Sequence, residues 1–203
     1  MSRPLSFLKS CTVGIAGAGG LGSNCAVALA RSGVGRIVVA DFDRVSLDNL
    51  NRQAFFHDQV GMKKVAALAE NIRRMNPEAE VTAVDVVLEA GNILSVFAGC
   101  PIVVEAVDRA ETKHMILETF MAERPWTWLV AASGLGGYGR NDSLRTFRSG
   151  RLIVCGDQSS EVSSEMPPLA PRVGIVAHMQ ANVVLELLLD DSVTPEPCGE
   201  NEQ

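Results

Sequence analysis

Three kinds of residue recur in this sequence at spacings that suit phosphate chemistry: glycines in a turn, cations and amides just beyond it, and single carboxylates at the ends of apolar runs. Gly17, Gly19 and Gly22 form a G-x-G-x-x-G run, with Gly20 inside it, and Asp41 lies 19 positions beyond Gly22. Glycines so spaced let a strand turn into a helix, bring main chain against an anion and pack that helix closely. The helix start offers unpaired N–H groups, and Asp41 falls where ribose hydroxyls would donate. Turns of this kind also arise for structural reasons alone, so the glycines mark only a place where a nucleotide could rest.

Asn49, Arg52, Gln53 and Lys64 sharpen that reading. They put two cations and two amides beyond the carboxyl edge of the first two strands, which suits a triphosphate better than a nicotinamide pyrophosphate. Arg grips phosphate oxygens with a planar fork and Lys adds a mobile charge, although each could equally be a solvated surface cation. Asp108, after the run Val104-Glu105-Ala106-Val107, is placed to hold Mg²⁺ beside phosphates, or to cap a following helix. Asp43 is read as the cap of a local turn. His57, His114 and His178 form no triad or metal cluster, and neither a G-x-S-x-G elbow nor a Walker-type loop is present.

The elements that must position these groups follow from the apolar pattern. Strands are expected at Thr12 to Ala16, Arg36 to Ala40, Val81 to Val86, Pro101 to Ala106 and Trp128 to Ala132. Helices are expected at Leu21 to Ser32, Lys63 to Met75, Asn92 to Phe97, Glu111 to Glu123 and Val173 to Leu189. This alternation predicts an α/β, Rossmann-like, mostly parallel sheet with helices on both faces. Leu144 to Phe147 and Leu152 to Cys155 predict a short antiparallel extension after the glycine-rich segment around Tyr138. Gly156 to Pro171 reads as a Ser- and Pro-rich loop.

With 203 residues, 47% of them hydrophobic, one domain over residues 1–190 is expected, followed by a disordered acidic tail over 191–203. The net charge of −6 weighs against a nucleic-acid-coating surface. No apolar run is read as long enough to span a bilayer, which predicts a cytoplasmic protein without a membrane partner. The five cysteines, Cys11, Cys25, Cys100, Cys155 and Cys198, include no C-x-x-C pair and read as reduced thiols.

Gly17-Ala18-Gly19-Gly20-Leu21-Gly22-Ser23, the block Asp41-Phe42-Asp43-x-Val45-x-Leu47-x-Asn49-Leu50-Asn51-Arg52-Gln53, Gly61-x-x-Lys64, Asn76-Pro77 and Asp108 together resemble the ThiF/MoeB/HesA family, relatives of ubiquitin-activating enzymes. The resemblance runs from about residue 10 to 189. It implies an adenylyltransferase that uses Mg-ATP to activate the C-terminal Gly-Gly carboxylate of a ubiquitin-like sulfur carrier protein (ThiS-like), releasing pyrophosphate, and a homodimer. It further implies Asp41 as ribose ligand, Asn49, Arg52 and Lys64 as phosphate ligands with Gln53 beside them, Asp108 as the magnesium carboxylate, and Arg52, Lys64 and Asp108 as the catalytic set.

The departures from the family pattern matter as well. The paired C-x-x-C motifs of longer relatives are missing, so no zinc is expected. Cys155 is the nearest candidate for a carrier-linking thiol but falls on a strand ahead of the crossover loop. No extended N-terminal helix delivers an arginine to a partner's nucleotide, which leaves Arg3 as a possible substitute. Val183, Val184, Leu187 and Leu188 are candidates for the dimer face or for core. The short form resembles compact ThiF proteins linked to the thiazole sulfur of thiamine. Competing readings are a tRNA-modifying ATP-dependent dehydratase of the same superfamily, a non-catalytic nucleotide-binding partner subunit, and a nicotinamide oxidoreductase.

Overall fold

The computed structural model describes residues 3–190. Its centre is a seven-stranded sheet in the order β3-β2-β1-β4-β5-β7-β6. The strands are β1 (Thr12–Ala16), β2 (Arg36–Ala40), β3 (Glu80–Val84), β4 (Ile102–Glu105), β5 (Trp128–Ser133), β6 (Arg145–Ser149) and β7 (Leu152–Gly156). All neighbours run parallel except β6, which lies antiparallel on β7 at one edge. The expected hairpin therefore joins the main sheet: β7 pairs with β5 in parallel, Leu129 opposite Leu152, and pushes β6 to the outside.

Helices cover both faces because the buried strand residues alternate. Val104 and Val130 pack with α1 (Gly20–Arg31), α2 (Lys64–Met75) and α5 (Ala170–Leu189). Val103 and Leu129 pack instead with α3 (Ile93–Val96) and α4 (Ala110–Glu123), around Phe97, Ile116 and Phe120. This is the period-two pattern of a sheet covered on both sides.

Several boundaries differ from those read in the sequence. α5 begins at Ala170 rather than Val173, because Pro171 sits in the first turn, where its missing N–H costs no intrahelical bond. α3 shrinks to Ile93–Val96. The third strand ends at Val84, short of Val86. A 3₁₀ helix at Leu5–Ser10 precedes β1.

For α5 the structure selects one of two open readings and corrects the expectation that no apolar run is long enough to span a bilayer. Val183, Val184, Leu187 and Leu188 are all at most 4% exposed and belong to the core against α1 and the sheet, so they cannot form a dimer face. The outer face of α5 instead carries Ile175, His178 and Asn182. At 20 residues and mean hydropathy 1.3, α5 is also long and apolar enough to cross a membrane. Over half of it is buried within the protein, as befits a core helix. The expected tail, with Cys198, lies outside the described residues.

Candidate functional site

The parallel strands end together, and the chain leaves β1 there through a tight turn. Gly17 has φ +99°, and a Cβ on it would lie 2.7 Å from the carbonyl oxygen of Ala106. A Cβ on Gly22 would overlap the Gly17 carbonyl, so the helix can start this close to the strand only with glycine there. Above Gly19 the space is open, its nearest neighbour being Gln53 Nε2 at 3.9 Å. No side chain caps α1, which leaves its first turn of N–H groups facing outward with the positive end of the helix dipole.

The polar segment after β2 folds back over this turn. The Asn49 carbonyl accepts from Arg52 N–H (3.2 Å) and Gln53 N–H (3.0 Å), coiling the chain so that both side chains lie beside Gly19 and Gly20. Ser23 Oγ donates to Gly19 O at 2.6 Å and accepts from Ala54 N–H at 3.0 Å, while Asn24 Nδ2 donates to Arg52 O at 2.9 Å. Sequence reasoning overlooked these two anchors. Their signal is faint, two small polar residues on an otherwise apolar helix. The Arg52 guanidinium donates to Asp48 O (3.1 Å) and Asn51 Oδ1 (2.8 Å) and remains partly exposed. Gln53 is 9% exposed, and its Oε1 is buried without a hydrogen-bond partner.

Asp41 and Asp43 divide their roles differently from the expectation. Asp41 caps the local turn, accepting from Asp43 N–H at 2.8 Å through Oδ1, and its Oδ2 accepts from Ala18 N–H at 2.6 Å. Asp43, read from sequence as the cap, instead pairs through Oδ2 with Lys64 Nζ at 2.7 Å. Lys64 is only 5% exposed, so a carboxylate is needed beside its ammonium. Asp41, Arg52 and Gln53 thus meet the glycine turn directly, Lys64 joins them through its pairing with Asp43, and Asn49 contributes its carbonyl.

Asp108 stands at the same edge, two residues past the Ala106 carbonyl that Gly17 abuts. It is exposed, and Arg109 occupies the cap position of α4 with no side-chain capping bond, so the helix-cap alternative falls away. Below it, Glu105 is fully buried and bonds to Val107 N–H and Lys113 Nζ. Burial pushes the Glu105 carboxyl up, against the opposing pull of Lys113. Lys113 also donates to Ala132 O (2.9 Å), and Gln180 Nε2 donates to Glu105 O and Val130 O (3.0 Å each), tying the ends of β4 and β5 together.

A further cluster, also missed, locks the crossover segment between β7 and α5, residues 157–169. Arg172 Nη2 meets Asp157 Oδ2 at 2.5 Å with side chains 2% and 3% exposed, and Arg172 Nη1 donates to Gly139 O at 2.9 Å. Asp157 also accepts from Ser160 Oγ (2.5 Å) and from the N–H groups of Ser159 and Ser160 (2.9 Å each). Against the upward push of burial, these hydrogen bonds and the Arg172 charge hold the Asp157 carboxyl well below the usual carboxylate range.

Other candidates lie elsewhere. Burial pushes the Cys155 thiol up to about 11, which opposes formation of a nucleophilic thiolate. Arg3 bonds to Leu188 O and Leu189 O at the far end of α5, beside the 3₁₀ helix that leads into the start of β1, and so cannot serve this turn within its own chain. His57, His114 and His178 are exposed and stand apart. Among the described residues, no cluster of three or more His, Cys, Asp or Glu is arranged for a metal ion.

Comparison with known proteins places this arrangement in context. The chain is 34% identical over 198 residues to the adenylyltransferase and sulfurtransferase MOCS3 of Caenorhabditis briggsae, covering 92% of this chain and 48% of that protein. It is 35% identical over 137 residues to the tRNA threonylcarbamoyladenosine dehydratase of Escherichia coli, covering 66% and 50%. With the molybdopterin-synthase adenylyltransferase of Escherichia coli it shares 29% over 188 residues, covering 89% and 74%. It spans about half the length of the first two. In fold it superposes on the ATP complex of the Escherichia coli dehydratase with TM-score 0.82 at 24% identity, covering 91% and 88%. The ThiF family profile matches residues 4–201, and the chain belongs to the ThiF family.

Proposed function

We propose that the protein is an ATP-dependent adenylyltransferase that activates the C-terminal Gly-Gly carboxylate of a ubiquitin-like sulfur carrier of the ThiS type, in thiamine thiazole formation in the cytoplasm. The observation that carries this reading is the packing of Arg52 and Gln53 against an uncapped helix start, with Asp108 exposed at the same edge. Family membership and the adenylyltransferases among its relatives point the same way.

The residues present fit ATP. The open space over Gly19 leaves room for phosphate oxygens against the α1 N–H groups. Arg52, held by neutral oxygens, is available to turn onto phosphate, and Lys64, fixed by Asp43, supplies a second cation. The unpartnered Gln53 Oε1 offers an acceptor to a ligand donor. Asp41 has a carboxylate at the lip of β2 for ribose, and Asp108 is a free carboxylate for Mg²⁺. Magnesium there would draw charge from the phosphates.

In the reaction, a carboxylate oxygen of the carrier attacks the α-phosphorus. An O–P bond to the carrier forms as the bond to pyrophosphate breaks. The nucleophile is already ionised, so the residues need only align the reactants and neutralise the charge that builds on the leaving group. Cys155 has no part in this scheme, and neither does zinc. A homodimer through the exposed side of α5, around Ile175, His178 and Asn182, completes the proposal and is checked by sedimentation.

Incubation with Mg-ATP and a ThiS-type carrier is expected to give a carrier heavier by one AMP. Arg52→Ala and Asp108→Ala should abolish it. An unmodified carrier in the presence of bound ATP defeats the proposal. The match to the tRNA dehydratase favours a second reading, in which tRNA rather than a carrier stimulates ATP turnover. The net charge of −6 weighs against it.

A further inference from the structure

The glycine-rich segment after β5 is the one sequence feature that the nucleotide site does not absorb. Its aromatic residue, Tyr138, is 77% exposed, more than any other large apolar or aromatic side chain among the described residues. The backbone beneath it is held in place from two sides. Gly136 N–H donates to Ser160 O at 2.9 Å and Gly137 N–H to Pro167 O at 3.0 Å, so the segment is zipped to the crossover loop. Gly137, at φ +77°, packs so tightly that a Cβ would lie 2.5 Å from the Met166 methyl. Arg172, clasped to Asp157, grips the Gly139 carbonyl from below. Arg140, a non-glycine residue, is held at φ +51°. An ordered backbone in a sparsely populated conformation, displaying an exposed ring, points to a role outside the fold.

The position of the ring suggests that role. Val173, the neighbour of Arg172, has its Cγ1 2.9 Å from where a Gly20 Cβ would sit, so the start of the helix that carries Arg172 also touches the glycine turn. β5 stands two strands from β1, about 10 Å at the usual spacing of sheets. The strands run parallel, so the ledge and the glycine turn follow the same edge of the sheet.

We propose that Tyr138 is a specificity-determining contact for the acyl-bearing tail of the substrate, its ring forming a wall against which a glycine-rich peptide lies as its carboxylate enters. The inference rests on the adenylyltransferase reading above. A peptide without side chains can lie flat on an aromatic face at van der Waals distance, whereas a side chain would hold it off. A nucleobase could also stack there, but the net charge of −6 opposes an RNA backbone.

Because the chain contains one tyrosine, ring-¹³C-tyrosine labelling reports Tyr138 alone. Its NMR signal should shift on titration with a ThiS-type carrier ending in Gly-Gly, but not with the same carrier lacking its last two residues, nor with tRNA. Tyr138→Ala should raise KM for the carrier roughly tenfold, the scale of truncating one aromatic contact, with kcat, ATP affinity and melting temperature unchanged. Tyr138→Phe should behave as wild type. A silent ring under conditions where the wild type transfers AMP to the carrier, an unchanged KM in Tyr138→Ala, or a shift with tRNA alone overturns the assignment. A wild type that transfers no AMP overturns the adenylyltransferase reading as well, so the two failures are told apart.

Discussion

Asp157→Asn tests the buried clasp directly. The substitution preserves shape and removes the one carboxylate among the described residues that is bonded to Arg172, stranding a guanidinium 2% exposed. Breaking a buried pair from one side costs about 3–5 kcal/mol, mostly from the stranded charge. For a chain of this size about 2–4 °C is lost per kcal/mol, so the melting temperature should fall by about 6–20 °C at neutral pH. The pH dependence carries a second signature. The folded-state carboxyl is held below its ordinary value, so its contribution is present above the unfolded value, about 3.9, and is lost as pH falls through the folded one. The gap between wild type and variant should therefore narrow steadily below about pH 4. Circular dichroism melts from pH 3 to 8 measure both quantities. A loss under about 1 kcal/mol, or a gap constant with pH, would refute the reasoning that the charge holds this loop together.

Four other outcomes follow from the site. Gly22→Ala should abolish ATP binding in calorimetry, since its Cβ meets the Gly17 backbone rather than a side chain that could move. Arg52→Lys should lower kcat/KM about tenfold in a pyrophosphate-release assay, because the planar fork is lost while the charge remains. Cys155, at a pKa of about 11, is less than about 0.1% thiolate at pH 7.5, so it should be silent to Ellman's reagent in the folded protein. Cys155→Ala should retain AMP transfer; its loss would contradict a reaction without a thiol.

Much of this architecture is legible locally. β1, β2 and α4's end at Glu123 fall where the apolar runs and turn residues place them, because strand and helix periods are written in adjacent positions. The gathering of Arg52 and Gln53 near the glycines is likewise implied by a polar segment between β2 and α2 that is too long for a simple connector. What escapes is long-range. Ser23 meets Ala54, and Arg172 meets Asp157, through contacts that no spacing rule encodes. The insertion of β7 between β5 and β6 depends on a crossover whose path is set by tertiary packing. α5 is apolar on several sides, so helical periodicity leaves its inward face ambiguous, and Val183 and Leu187 are assigned to the core only by their contacts.

The packing of Val173 on Gly20 also orders events during synthesis. The two residues are about 150 positions apart, and a ribosome adding roughly 5–20 residues per second needs on the order of ten seconds to cover that distance. Throughout that interval α1 lacks its cover, and its apolar side is left for a chaperone or a neighbouring nascent chain to find. A glycine turn made at the start of translation thus becomes a finished cradle only when the last helix arrives, so premature termination before residue 170 yields a chain with every residue proposed to bind phosphate and no completed site.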